Sequence, residues 1–324
     1  MNPAFSVVLL TTAAGAGYGM LFWLGVLNAA RVLPESAWFG VPAALVAVAL
    51  AMVGLLASTF HLGHPERAWR AISQWRTSWL SREGVMAIVT FLPALGFPLA
   101  WALAGAGAGV TVALGVLAAA CGLATVASQA MIYASLKPIR QWYHHAVLPN
   151  YLLLSLFSGA ACLAGFAVFF SSGAARIAAG IAVVAGVAAV AGKLGYWRSI
   201  DRAPATAMTA RAPAGATIET ATGLGFLGTV RSLEVPHTEE NYLLREMGFV
   251  IGRRHAARLR KIALALGFAA PALLLLVGAL GGGALALVAL PLAAVCTVGG
   301  IYLERWLFFA EATHTVTLYY GRAG

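Results

Sequence analysis

Long apolar runs constrain this chain more than any other feature. The segment from Trp38 to Phe60 contains no charged residue, and comparable runs recur along the whole sequence. A helix rises about 1.5 Å per residue, so roughly 20 such residues cross the ~30 Å hydrocarbon layer of a bilayer. Charged residues make up only 10% of the chain, against roughly 25% in soluble domains. The sequence therefore predicts an all-α polytopic membrane protein.

Eight of these runs are long enough to be transmembrane helices. We place them at residues 5–30, 38–62, 85–106, 108–133, 147–171, 174–196, 262–281 and 284–310. The chain is interpreted as a single membrane domain over residues 1–324, with a loop at 197–261 between helices 6 and 7. Within this loop, residues 238–261 are predicted to form an amphipathic helix with Thr238 as its N-cap. That helix either lies on lipid headgroups or docks a partner.

Basic residues predict the orientation of the bundle. With eight spans, the two termini and the 2–3, 4–5 and 6–7 connections share one side. All of the 21 Lys and Arg except Arg31 and Arg176 lie on that side or at helix ends facing it. Basic residues near helix ends favour the cytoplasmic side, so the N- and C-termini and the 6–7 loop are predicted to be cytoplasmic. The net charge of +10 indicates anionic lipid and an acidic partner, and no nucleic acid.

Several cofactor-binding patterns are missing from the sequence. Cys121, Cys162 and Cys296 stand alone in separate apolar segments, and no CxxC pair exists. This chain is therefore expected to hold no iron–sulfur cluster and no covalently attached haem. Neither a P-loop nor an HExxH motif is present, which argues against an ATPase or a soluble-type hydrolase. We expect no metal site.

The candidate functional site follows the second apolar run. Residues 61–84, HLGHPERAWRAISQWRTSWLSREG, concentrate tryptophan, arginine and histidine where the chain leaves the membrane. Charges and imidazoles at membrane depth are costly, so such a cluster predicts a functional site. The predicted helix limits place further polar groups at the same depth. The candidate residues are His61, His64, Arg67, Trp75, Trp79, Arg82, Glu83, Gln129, Glu304 and His314.

A quinone headgroup fits this set of side chains. It requires hydrogen-bond partners for two carbonyl oxygens, a group that exchanges protons near neutral pH, aromatic walls and access from lipid. His61 supplies an imidazole with an ordinary pKa of about 6.5. Glu83, which is predicted to open the third helix, can accept or relay the proton, and Trp75 and Trp79 can form the walls. Pro65 disfavours a helical conformation at the preceding histidine, so His61 is favoured over His64.

Other interpretations stay open from the residues alone. Tryptophan and arginine are common at membrane interfaces without any site, and Glu304 beside Arg305 can be a structural ion pair. A b-haem carrier is a rival function, with His61 and His314, or His144 with His145, as axial ligands. A transporter is a second rival, although mid-membrane charges and paired broken helices are not evident in the spans.

Two segments of the sequence resemble a known family. STFHLGHPERAWRAISQWRTSWLSREG and the closing ERWLFFAEATHTVTLYYG are similar to the membrane-anchor subunit of the dimethyl-sulfoxide reductase family of molybdoenzymes. The resemblance covers essentially the whole chain. In the 6–7 loop, PHTEENYLLREMGF resembles most closely the anchors of cytoplasmic, quinone-dependent sulfite dehydrogenases.

The resemblance implies a function for the chain. In such complexes a molybdopterin catalytic subunit passes electrons through a ferredoxin-like subunit with [4Fe–4S] clusters to the anchor, which exchanges them with quinone. It implies a haem-free anchor in the bacterial cytoplasmic membrane that docks the iron–sulfur subunit on its cytoplasmic face. The family's quinone-site histidine and acid match His61 and Glu83. Sulfite oxidation coupled to quinone reduction is the expected reaction, and a quinol-dependent dimethyl-sulfoxide-type reductase is the alternative.

Overall fold

The computed structural model describes residues 2–60, 63–202, 223–228, 230 and 251–314. Within these residues, eight helices are long and apolar enough to cross a membrane. They are α1 (Phe5–Ala29), α2 (Ala37–Thr59), α3 (Trp79–Ala104), α4 (Gly109–Ala134), α5 (Val147–Ala167), α6 (Ser172–Arg202), α7 (Ala256–Gly281) and α8 (Gly283–Ala310). The predicted all-α fold with eight membrane spans is confirmed, and the protein is a multi-pass membrane protein.

Several helix limits differ from the predicted ones. Helix α3 begins at Trp79, where the Ser78 side chain caps it by accepting a hydrogen bond from the Ser81 amide. The sequence had suggested that Glu83 opens this helix. Glu83 instead lies one turn inside α3. Helix α6 continues to Arg202, so the loop after it begins there and not at residue 197. Hydropathy locates the apolar part of each helix, whereas capping groups decide where its backbone hydrogen bonds begin and end.

The helix predicted at 238–261 is described only in its second half. Residues 238–250, including Thr238, lie outside the described residues. Ile251–Arg254 and Ala256–Leu264 are helical, and His255 separates them with φ −108° and ψ 9°. The described part is therefore not one continuous helix: Ile251–Arg254 is a separate turn, and Ala256–Leu264 is already the start of α7.

Helix α1 occupies the centre of the bundle. It is the most buried of the spans and packs against α2, α4 and α5. Close approach depends on small residues, since a Cβ atom at Gly19 would lie 1.9 Å from the backbone oxygen of Ser155. A Cβ at Gly300 in α8 would likewise lie 2.0 Å from the Cα of Gly267 in α7. Such contacts let helix backbones meet, which is how helices associate in lipid, where hydrophobic burial offers little driving force.

The bundle has two chemically different ends. At one end lie the N-termini of α1, α3, α5 and α7 and the C-termini of α2, α4, α6 and α8. This end, which we call the cationic end, carries every described Lys and Arg except Arg31 and Arg176. All described candidate site residues also lie in this half of the molecule.

Candidate functional site

A buried carboxyl and a buried amide meet between α3 and α4. Glu83, one turn inside α3, accepts a hydrogen bond from Gln129 Nε2 over 2.6 Å. Glu83 is 4% exposed and Gln129 is 2% exposed. A buried carboxyl requires such a donor, because an unpartnered polar group in an apolar interior costs several kcal/mol, roughly 2–7. The structure thus brings together two of the residues that the sequence placed at one depth.

Tyrosines surround this Glu83–Gln129 pair. Tyr18 on α1 and Tyr133 on α4 both lie within electrostatic range of the Glu83 carboxyl. The Tyr18 hydroxyl is buried and has no hydrogen-bond partner in the part of the chain that the structure describes. Tyr133 follows Gln129 by one helical turn and so shares its face of α4. Two phenol groups therefore lie within electrostatic range of Glu83.

A second buried carboxyl has a very different environment. Glu304 on α8 is 0% exposed and forms an ion pair with Lys193 on α6. Arg305 Nε lies 3.8 Å from Glu304 Oε2, and the Arg305 guanidinium carbon lies 3.5 Å from the Tyr151 ring centroid. The Glu304–Arg305 contact considered from sequence is present, but Lys193 is the closer cation. We call these three charged residues the Glu304 triad.

An aromatic cluster centred on Tyr133 joins α4, the 4–5 connection, α5 and α8. The Tyr133 ring centroid lies between 5.1 and 6.0 Å from the ring centroids of Trp142, Tyr151, Phe308 and Phe309. Tyr133 lies one turn beyond Gln129, and Phe308 lies one turn beyond Glu304. Trp142 Nε1 donates a hydrogen bond to the Phe308 carbonyl over 3.1 Å, which ties the 4–5 connection to α8.

The segment between α2 and α3 lies on the surface of the cationic end. Pro65–Gln74 form a 3-10 helix. His64 and Arg67 are exposed and both contact Glu66, with 3.0 Å between His64 Nδ1 and Glu66 Oε1. Trp75 is 51% exposed. The structure therefore does not bring His64, Arg67 and Trp75 to the Glu83–Gln129 pair.

Arg82 and Trp79 join this surface segment to α3. The Arg82 guanidinium carbon lies 4.3 Å from the Trp79 ring centroid. Its nitrogens donate hydrogen bonds to the carbonyls of Trp75, over 3.0 Å, and Arg76, over 2.7 Å. Both residues therefore have a structural role in holding the segment against the bundle. His61 lies outside the described residues, and its predicted place beside Glu83 stays a prediction.

His314 belongs to a contact between the chain after α8 and the 4–5 connection. Its backbone forms a bridge with Ile139. The neighbouring Thr313 amide donates to Gln141 Oε1 over 3.1 Å. Partial burial lowers the pKa of the His314 imidazole.

The two adjacent histidines of the 4–5 connection are stacked. The rings of His144 and His145 lie 4.2 Å apart at an interplanar angle of 30°. This geometry does not present two imidazoles on opposite sides of a haem iron, as axial ligation would require. Among the described residues, no group of three or more His, Cys, Asp or Glu is arranged to hold a metal ion.

Sequence reasoning missed two of the buried ionic contacts. Lys193 was not singled out, although Arg176 at the opposite end is the only other charge in the predicted span 174–196. A lone acid, Glu304, occurs in another span at the same end as Lys193. Arg260 falls in the helix predicted at 238–261, and no partner was assigned to it there. It donates to both carboxylate oxygens of Glu311, over 2.9 and 2.6 Å, and to Asp201 over 2.7 Å. Searching each span for a charge and an opposite charge at equal depth would have found the first contact.

Comparison with known proteins assigns the chain to a family. Residues 1–321 match the family described as DMSO reductase anchor subunit (DmsC). The chain belongs to this family. It is also similar to a sulfite dehydrogenase subunit of Allochromatium vinosum, with 35% identity over an alignment of 337 positions that covers 99% of each chain. No solved structure matches it significantly.

The family match confirms the resemblance seen in the sequence. The protein is an anchor subunit of a molybdoenzyme. Membership in the family implies catalytic and iron–sulfur partner subunits.

Proposed function

We propose that this chain anchors an iron–sulfur subunit and a molybdopterin catalytic subunit to the bacterial cytoplasmic membrane and transfers their electrons to quinone. The oxidised substrate is sulfite, since the similar Allochromatium protein carries the name of a sulfite dehydrogenase subunit. The cationic end faces the cytoplasm, because basic residues near helix ends favour that side. In this orientation both termini are cytoplasmic.

The observation that carries the proposal is the Glu83–Gln129 pair. A carboxyl that is 4% exposed and has a neutral hydrogen-bond partner stands one turn below the cationic surface. A lipid-soluble quinone can place its headgroup at this depth and receive electrons there from a docked subunit. Its reduction then requires a proton at the same depth. Glu83 is the described candidate residue that combines this depth, burial and proton chemistry without a cationic partner.

The overall reaction balances. Sulfite and water give sulfate, two protons and two electrons, and quinone takes up two electrons and two protons to become quinol. If protons are released and taken up on the same side of the membrane, the coupled reaction moves no net charge across it. Glu83 passes a proton to a quinone oxygen and is reprotonated from the cytoplasm. Gln129 holds the carboxyl in place, and His61 donates a hydrogen bond to a quinone carbonyl.

The exposed segment between α2 and α3 is the proposed docking surface for the iron–sulfur subunit. It presents Arg67, Arg70 and Arg76 together with Trp69 and Trp75, and both tryptophans are more than half exposed. Arginine and tryptophan are enriched at protein interfaces. A cationic surface also suits an acidic electron-transfer partner and speeds its association. We assign His64 to this surface as well, because its ring is exposed beside Glu66.

Glu304 and His314 receive structural roles in this proposal. Glu304 pairs with Lys193 and Arg305, and His314 lies in the contact between the chain after α8 and the 4–5 connection. Both were quinone-site candidates from sequence. If His61 and Glu83 variants keep full quinone activity, these two residues become the leading candidates again.

The test is quinone-dependent turnover of the purified membrane complex with His61→Ala, compared with wild type. A water-soluble acceptor that takes electrons directly from the partner subunits is the control. We expect the quinone-dependent rate to fall by about 100-fold or more, the usual contribution of a hydrogen-bond donor to an oxygen that gains charge in the reaction, while the soluble-acceptor rate is kept. Equal rates with quinone would place the site elsewhere, and loss of both rates would assign the residue to assembly.

Two further measurements separate the alternative functions. Turnover with sulfite and quinone, compared with turnover of a sulfoxide with quinol, distinguishes the dehydrogenase from the reductase. A reduced-minus-oxidised visible spectrum of the purified chain detects a b-type haem through its sharp alpha band. We expect sulfite-dependent quinone reduction and no such band on this chain.

A further inference from the structure

A pocket of about 440 Å³ lies at the cationic end, between the end of α4 and the start of α5. Its lining shares no residue with the Glu83–Gln129 pair or with the proposed docking surface. The described lining residues are Met131, Ala134, Ser135, Lys137, Tyr143, His144, His145 and Leu148. The volume is within the range of small-molecule sites, roughly 300–1,000 Å³.

The pocket has an apolar floor and a polar rim. Met131, Ala134 and Leu148 come from the two helices and form the floor. Lys137 and His145 are exposed at the rim. Among the described residues of the lining none is acidic, and the sequence from 135 to 150 contains no Asp or Glu. The rim therefore offers a positive charge and hydrogen-bond donors, and the described lining contains no carboxylate to neutralise them.

His144 gives the pocket a fixed wall. Its Nδ1 accepts a hydrogen bond from the Ala146 amide over 3.1 Å, so the ring proton is on Nε2, which pairs with Ser199 Oγ at 2.8 Å. This makes His144 a neutral, buried ring with its orientation set from two sides. The His145 ring stacks on it at 4.2 Å and is thereby held at the rim beside the pocket.

We propose that this pocket binds an anionic phospholipid. Lys137 and His145 contact the phosphate group, the Tyr143 ring stands at headgroup level, and an acyl chain lies along Met131 and Leu148. Both residues lie near the ends of membrane spans, where lipid headgroups are expected. Lys137 comes a few residues after the end of α4, and His145 comes a few residues before the start of α5. Basic pockets between transmembrane helices are suited to anionic headgroups. The proposal does not depend on quinone chemistry.

The test uses the full-length chain in a neutral detergent, with lipid binding followed by native mass spectrometry. Phosphatidylglycerol is titrated against wild type and Lys137→Gln, and we expect about five-fold weaker binding for the variant, the usual contribution of one cation near an anionic headgroup. Lys261→Gln is the matched control, since Lys261 is exposed on α7 at the same end but does not line the pocket. The control and Lys137→Arg should bind phosphatidylglycerol as wild type does.

Four results would overturn the proposal. Unchanged phosphatidylglycerol binding by Lys137→Gln would show that the pocket is not used. An equal loss in Lys261→Gln would indicate diffuse attraction to a basic surface. Equal binding of phosphatidylcholine would remove the role of headgroup charge. Displacement of the lipid by inorganic phosphate or by a neutral quinone at micromolar concentration would assign the pocket to a free anion or to quinone.

Discussion

Two buried glutamates at the cationic end have opposite surroundings. Glu83 is 4% exposed and its described hydrogen-bond partner is the neutral amide of Gln129. Glu304 is 0% exposed and lies between Lys193 and Arg305. The same residue type at similar depth is thus paired with two cations in one place and left with an uncharged partner in the other.

The difference separates structure from proposed chemistry. A carboxylate between two buried cations cannot give up its charge without leaving those cations unpaired, and that is costly in a low-dielectric interior. Gln129 can donate its hydrogen bond to either form of the Glu83 carboxyl, because its amide carries no charge. The contacts of Glu83 therefore suit proton exchange, whereas those of Glu304 are ion pairs with two buried cations.

Glu304→Gln should produce the largest loss of stability. The change leaves Lys193 and Arg305 as two buried like charges, and the expected cost is about 3–5 kcal/mol. Thermal unfolding of the complex in detergent measures it. Lys193→Met should cost less, since Arg305 still faces Glu304 at 3.8 Å. A Glu304→Gln protein as stable as wild type would show that the triad does not fix this glutamate.

Arg260→Gln tests whether the ion pairs nearer the surface of the cationic end also stabilise the protein. Arg260 joins Glu311 and Asp201, and hydrogen bonds to charged groups contribute about 1.5–3 kcal/mol. We expect a loss near 2 kcal/mol, measured by the same unfolding experiment. Arg258→Gln is the control, because Arg258 is exposed on the same helix. Equal effects of the two changes would argue that the contacts of Arg260 contribute nothing specific.

Gln129→Leu sharpens the comparison from the other side. It removes the described donor to Glu83 and should cost about 1–3 kcal/mol, the penalty for an unsatisfied buried polar group. Replacing both partners by leucine should recover most of that loss, since paired apolar replacements are often nearly neutral. If the double variant is no more stable than Gln129→Leu, the destabilisation comes from packing and not from the carboxyl.

His314 provides the smallest expected effect and a check on pH dependence. Burial lowers the pKa of its imidazole, so the folded chain binds fewer protons there than the unfolded chain. The resulting stability is complete above the ordinary histidine pKa, about 6.5, and is lost as the pH falls through the lowered value. His314→Gln should flatten this part of the pH–stability curve. An unchanged curve would assign that pH dependence to other groups.

The sequence was sufficient for the fold because the relevant signal is local. Apolar runs predicted all eight spans, and counting residues along them placed Glu83 and Gln129 at one depth. The start of α3 was wrong by more than a turn, because it depends on the Ser78 cap in a polar segment where hydropathy gives no signal.

The partners of buried charges could not be predicted in the same way. The spans are apolar on nearly all sides, so their periodicity does not reveal which face of a helix points inward. Lys193 and Glu304 meet because glycine and alanine contacts set the rotation of α6 and α8, and those contacts depend on the whole bundle. Depth is encoded along one helix, whereas the pairing of faces is decided between helices.

The most direct test of the central claim is the ratio of quinone-dependent to soluble-acceptor turnover in Glu83→Gln. Glu35→Gln, at an exposed glutamate at the end of the bundle opposite the cationic end, is the matched control. The account predicts that the ratio falls by about 100-fold or more in Glu83→Gln, with the melting temperature and the soluble-acceptor rate unchanged, and stays at the wild-type value in the control. A wild-type ratio in Glu83→Gln would contradict the claim that this buried carboxyl delivers the proton to quinone.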